Sequence, residues 1–248
     1  MSQYFYEADK LEFQYHTLNT LREVRYRLHE LTTSSRRSIE AFQNAVRAKA
    51  DIMSIDFATP VMYGFSAALA PLQTFKDLLP LVIPGFNFAT FLGGISDGEM
   101  FLQLRHAIVH DGQQTLALSA DGRFYVAVNI RRTGQRKTVE ILAPAEDIET
   151  ITLRFYEQFG RNLADALAAM DDTDKLRGPA YSTEWFQEAA KHPSLKRFDI
   201  PMMASDSLAA TQMPYSPLDM AHTVTLEIAQ SCRLRLEELA NIPLVPFP

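Results

Sequence analysis

Between Glu12 and Ala50 the apolar residues recur with a helical period. Leu21, Val24, Leu28 and Leu31 fall three and four residues apart, and Ile39, Phe42 and Val46 repeat the spacing. Such a stripe is the core-facing side of a long amphipathic helix, and other elements must cover it. Thr32-Thr33-Ser34-Ser35 is where a break or kink between two helices is expected. The opposite face carries Arg22, Arg25, Arg36 and Arg37. A solvated helix face is the simplest reading of these arginines. The functional alternative is one wall of an RNA-binding groove.

The next segment, Val61 to Ile95, is very apolar, with Lys76 and Asp77 its charged residues. Leu78 to Ile95 approaches the length of a membrane span. However, it contains Pro80, Pro84 and the Gly93-Gly94 pair, and no basic cluster flanks it. Short buried helices divided at Pro71, Pro80 and Pro84 fit better, because proline removes an amide donor. Ser96 and Glu99 have the spacing of a capping box opening another helix. In that helix Phe101, Leu104 and Ile108 should point inward, and Gly112 is placed to end it.

The period then changes. Thr115–Ser119, Arg123–Ile130 and Thr138–Leu142 read as three short strands, with turns at Asp121-Gly122 and Thr133-Gly134. Helical spacing returns with Ile148, Ile151, Phe155, Phe159 and Leu163, in a helix expected from about Ile148 to Met170. A short helix is expected from Ser182 to about His192, and a loop from Ile200 to Tyr215. Ser216-Pro217 opens a last helix to Asn241 through Ala221, Val224, Ile228, Cys232 and Leu239. The terminal Pro243–Pro248 run should be extended. The expected architecture is mainly α in one domain, 1–248. Its helical part covers 10–112 and 145–241, and a three-stranded antiparallel β-meander inserted at 115–142 completes it.

Composition narrows the function. At 47% hydrophobic and 22% charged, the chain has the make-up of a soluble globular protein with a real core. A net charge of -6 argues against coating nucleic acid nonspecifically, so any such site must be a local basic patch. One cysteine, Cys232, rules out an internal disulfide and a thiolate metal cluster within one chain. The start lacks the basic and apolar regions of a signal peptide, which predicts a cytoplasmic protein. No Gly-rich phosphate loop, dinucleotide fingerprint or metal-ligand spacing appears, so neither a cofactor nor a metal is expected.

One segment carries chemistry: Leu104-Arg105-His106-Ala107-Ile108-Val109-His110-Asp111-Gly112. Histidine moves protons near neutral pH, and the arginine fork grips phosphate. His106 and His110 are four residues apart and share a helix face, with Arg105 about 100° to one side. The three side chains can line one shallow groove. The plainer alternative is structural: Arg105 pairs with Glu99 or Asp111, and His110 finishes the helix at its negative end.

The pattern of arginine, polar residue, three variable positions and histidine at the end of an amphipathic helix resembles the HEPN superfamily (higher eukaryotes and prokaryotes nucleotide-binding). Its nuclease members carry that pattern, which falls here on Arg105, His106, Ala107-Ile108-Val109 and His110. The likeness covers about nine residues in a compatible helical setting, and the β-meander is outside the minimal bundle. It implies a four- or five-helix bundle and a metal-independent endoribonuclease, with the motifs of two protomers facing across a homodimer. Arg105, His106 and His110 would be catalytic, and Arg105 with Asp111 would bind substrate. It also implies RNA as substrate, a toxin, defence or RNA-processing role, and an antitoxin protein as a partner. Two alternatives stay open. One is a non-catalytic HEPN-like nucleotide-binding or interaction module. The other is an unrelated helical protein binding a small ligand around Phe86 to Met100.

Overall fold

The computed structural model describes residues 10–50, 56–111, 116–118, 121–133, 138–170, 191, 193 and 216–242. The expected helix from Ser182, the loop 200–215, the Gly112 stop, the turn at Gly134 and the terminal proline run lie outside the described residues.

Helix α1 (Lys10–Ala48) is unbroken over 39 residues. The kink expected at Thr32–Ser35 does not occur. Thr32 Oγ1 donates to His29 O at 3.1 Å, so this hydroxyl is satisfied by its own helix. Three residues beyond Ser35, Ser38 Oγ donates across the core to Gly122 O at 2.7 Å. The stripe Leu18, Leu21, Val24, Leu28, Leu31, Ile39 and Phe42 is buried throughout. Tertiary packing on both sides of the polar run thus outweighs its weak helix propensity.

Helices α2 (Ala58–Leu69) and α3 (Pro71–Val82) lie against α1. Ala70 between them is itself helical in φ and ψ. The break arises because Pro71 has no N–H to continue the ladder, while its fixed φ suits the first turn of α3. Pro80, expected to divide the segment, instead stays within the last turn of α3. So near the helix end its missing donor and ring are tolerated. The helix stops two residues later, where Ile83 turns extended before Pro84. Helix α4 (Phe88–Gly93) is capped by Asn87, whose side chain accepts from Thr90 N–H.

Helix α5 (Gly98–Asp111) follows. The Ser96–Glu99 capping box does not form. The helix starts one residue later than that box requires, after Asp97 in the left-handed region at φ 63°. Ser96 N–H donates to Gln158 Oε1, and Glu99 accepts from Gln103. The Ser96–Gln158 bond ties the start of α5 to α6 (Ile148–Ala168), which begins at Asp147. Asp147 accepts from both the N–H and the hydroxyl of Thr150.

The β segment is small and antiparallel, as expected, but its strands form two ladders. β1 (Leu116–Leu118) pairs with β2 (Phe124–Val126), and β3 (Ile130–Thr133) pairs with β4 (Thr138–Ile141). Leu116 faces Val126 in one register, and Ile130 faces Ile141 in the other. The single strand expected over Arg123–Ile130 is therefore two. Ala127, Val128 and Asn129 are exposed, and the Asn129 side chain accepts from Ala143 N–H at 2.8 Å, holding the bend between them.

The Asp121-Gly122 turn is the point where this segment docks on α1. Gly122 has φ 79°, and a Cβ there would lie 2.7 Å from Phe42 Cβ and 3.1 Å from Ser38 O. Gly122→Val combines backbone strain with a collision and should cost about 3 kcal/mol or more. Ser38→Ala removes one buried hydrogen bond and should cost about 1 kcal/mol. Urea unfolding of both variants checks this; a Gly122→Val midpoint equal to wild type would mean the turn is not seated on α1.

The last helix, α7 (Pro217–Ala240), has Ser216 as its cap, accepting from Asp219 N–H, and Pro217 in its first turn, as its sequence predicts. It lies along α6 in the most extensive helix–helix contact among the described residues, and both pack on α1. An aromatic column runs through the core beside them. Phe101 stacks on Phe155 at 4.3 Å between centroids, and Phe159 meets Phe75 and Phe91 at 5.1 and 5.2 Å. Tyr156 is fully buried, and its hydroxyl donates to Ala68 O. Among the described residues no helix is long and apolar enough to cross a membrane.

Candidate functional site

Helix α5 presents the motif. Its inner face is Phe101, Leu104 and Ala107, each with no exposed surface. The Phe101–Phe155 stack fixes the rotation of the helix about its axis, because both rings are locked on the core side. At about 100° per residue, Arg105 falls at the edge of that face and His106 on the side away from it; both are half-buried. Ile108, expected to point inward, packs against the core and is partly buried.

Arg105 Nη1 and His106 Nδ1 are 3.3 Å apart. A guanidinium can only donate, so as a hydrogen bond this contact has Nδ1 as its acceptor. The arrangement suits an orienting role for His106: it holds one arm of the planar fork and so limits the directions in which the fork can grip an anion. The helix continues unbroken to Asp111, which puts position 110 one turn beyond 106. The side chains of His110 and Asp111 lie outside the described residues. The Arg105–His106 pair is thus brought together in the structure, and its relation to the His110 and Asp111 side chains belongs to the proposal below.

A second polar cluster, absent from the sequence reading, lies between α6 and α7. Arg235 Nε donates to Glu149 Oε1 at 2.8 Å, and the two side chains are only 8% and 2% exposed. Arg235 Nη1 also reaches Glu238 Oε2 at 2.9 Å, and Arg36 Nη2 reaches the same oxygen at 2.8 Å. Burial pushes the Glu149 carboxyl up to about 7, against the opposing pull of Arg235. Two positions before Glu149, Asp147 accepts from Arg123 at 3.3 Å, and this joins the β segment to the start of α6.

This cluster was legible in one respect. The α7 stripe Ala221, Val224, Ile228, Cys232, Leu239 steps by three or four except between Cys232 and Leu239, where the missing member is Arg235. A charged residue in an apolar stripe signals a buried partner. Nothing in the sequence identified Glu149 as that partner.

Two cavities, about 340 and 400 Å³, open along α1 and α7 beside this cluster. Cys232 forms part of the wall of the first; it is 1% exposed, and burial raises its thiol to about 12, so it is an inert thiol at neutral pH. Among the described residues no three His, Cys, Asp or Glu side chains are gathered as metal ligands.

Comparison with known proteins finds no matching family model, no similar curated protein and no similar solved structure.

Proposed function

We propose that the chain is a metal-independent endoribonuclease of HEPN type, acting on RNA as a homodimer. The observation that carries this reading is the Arg105–His106 contact at 3.3 Å on a helix whose other face is locked in the core. The mainly helical body is compatible with it. In this proposal Arg105 binds the scissile phosphate and His106 steers Arg105. His110 carries the proton, and Asp111 helps to seat the substrate. The ribose 2′-OH attacks the adjacent phosphorus and the 5′ oxygen leaves. The products are a 2′,3′-cyclic phosphate and a 5′-hydroxyl, with one proton lost by the attacking oxygen and one gained by the leaving oxygen. One His110 per protomer, doubled across a dimer, provides an acid and a base for the two transfers.

The test is cleavage of a mixed RNA pool by purified protein in EDTA. Arg105→Ala and His110→Ala should each lower the rate by about 100-fold or more with an unchanged circular dichroism spectrum. His106→Asn should keep most of the activity, because an amide can still orient the guanidinium. Full activity in folded His110→Ala would overturn the catalytic role, and loss of activity in EDTA would overturn the metal-independent one.

The acidic balance of the chain favours a second reading, a non-catalytic HEPN-like binding module. In that case no RNA is cut by the wild type, and Arg105→Ala weakens RNA or nucleotide binding instead.

A further inference from the structure

We propose that the cavity between α1 and α7 binds a compact amphipathic anion. Arg36 and Arg235 would hold its carboxylate or phosphate head, and its aliphatic body would lie against the exposed Leu234, above a floor of Leu28, Leu153, Ile228 and Cys232. This site is separate from the α5 motif and does not depend on the ribonuclease reading.

The head subsite is already occupied by a group of the same chemistry from the chain itself. The guanidinium groups of Arg36, on α1, and Arg235, on α7, converge on one oxygen, Glu238 Oε2, at 2.8 and 2.9 Å. Arg235 is fixed from behind by the buried Glu149, so its fork is pre-aimed and loses little freedom on binding. Glu238 is 55% exposed, and Arg36 is 53% exposed. A solvent-facing carboxylate on a long side chain is readily displaced by a ligand anion, since an exposed ion pair contributes little stability.

The body subsite is the cavity of about 340 Å³, which Arg36, Arg235 and Glu238 line together with the apolar residues named above and with the polar side chains of His29, Thr32 and Ser231. That size is at the lower end for small-molecule pockets, and the mixture of apolar wall with a few convergent polar groups is typical of them. The same three charged residues also line the neighbouring cavity, at the far end of which stands Arg47. Among the described residues Arg47 has no ion-pair partner. Arg25 stands on the other side, paired with Glu227 at 2.6 Å. Four arginines and two glutamates, Glu40 and Glu238, line the two cavities. Arg25 is held by Glu227 and Arg235 is held from behind by Glu149, so it is displacement of Glu238 that frees positive charge for an anion.

The probes are octanoate and octyl phosphate, below their micellar concentrations, with octanol and inorganic phosphate as half-ligands, all titrated calorimetrically into the full chain. Saturable one-to-one binding of either amphiphile is expected, at least tenfold tighter than octanol or phosphate alone. The stronger of the two heads identifies the natural head group as carboxylate or phosphate. Arg36→Met should weaken binding about tenfold, the loss of one charge-assisted contact. Glu238→Gln should tighten it about threefold, because the internal competitor loses its charge. A residue that merely supports the fold would not produce that gain. Equal affinity for octanol, absence of saturable binding, or identical affinities in wild type, Arg36→Met and Glu238→Gln would each overturn the proposal. Both substitutions are at half-exposed positions, and Tm measured alongside verifies that the variants are folded.

Discussion

Gly160→Leu is expected to leave the chain without a stable folded state at ambient temperature. Gly160 is where α6 and α7 touch. A Cβ at this position would lie 2.8 Å from Thr225 O and 3.1 Å from Ala229 Cβ. The first of these neighbours is helix backbone and cannot rotate away. Alanine would force the helices apart by a few tenths of an ångström and should cost about 1–3 kcal/mol, offset by about 1 kcal/mol of improved helix propensity. Leucine adds three further carbons to the same gap and requires a larger displacement of α7. That displacement would open the packing around Phe155, Tyr156 and Phe159, which together form much of the buried aromatic volume. A domain with about 5–15 kcal/mol of total stability does not survive such a change. Far-UV circular dichroism and urea titration distinguish the outcomes. A leucine variant with a wild-type midpoint would show that α6 and α7 do not cross at this glycine.

Arg235→Ala should cost about 3–5 kcal/mol, because it strands the Glu149 carboxyl in the core without its partner. The loss should also depend on pH. Glu149 has an ordinary value of 4.5, and burial raises it to about 7 in the folded protein. Between these values the folded state keeps a proton that the unfolded chain has released. This group therefore lowers stability as pH rises from 4.5 to 7, by up to about 3 kcal/mol, and the slope flattens above 7. Removing Arg235 takes away the one strong pull that favours the carboxylate, so the slope, already close to its one-proton limit, extends to higher pH. Glu149→Gln should remove it. Replacing both residues with apolar side chains of similar size should be close to neutral, which separates the value of the pair from the penalty of breaking it. Denaturant titrations at pH 5 and pH 8 measure all four proteins. An Arg235→Ala variant within 1 kcal/mol of wild type at both pH values would mean the pair is not buried.

The helices were legible because long apolar stripes specify them independently of their surroundings. α6 and α7 start at Asp147 and Ser216, close to where their periodicity and cap residues predict, since a cap is a local interaction. The local signals that misled had competitors from elsewhere in the chain. The Thr32–Ser35 run does not break α1, because packing on either side of it continues. The Ser96–Glu99 box does not close, because Gln158 of α6 takes the Ser96 N–H that Glu99 would accept. The second strand divides at Val128 because Asn129 bonds to Ala143, fourteen residues away. None of these partners can be found by a window sliding along the sequence.

The candidate sites divide in the same way. The sequence alone determined the Arg105-His106-x3-His110 spacing and its position at the end of a helix, because a helix of fixed pitch converts spacing into direction. Only the tertiary structure decided that the stacking of Phe101 on Phe155 turns the helix so that Arg105 and His106 lie outside its fully buried face. It alone also brought Arg36, Glu149, Arg235 and Glu238 together, from positions as much as about two hundred residues apart. Periodicity is a property of neighbours along the chain. The meeting of charges from three helices depends on how those helices pack, and their packing is set by shape and burial summed over the whole core.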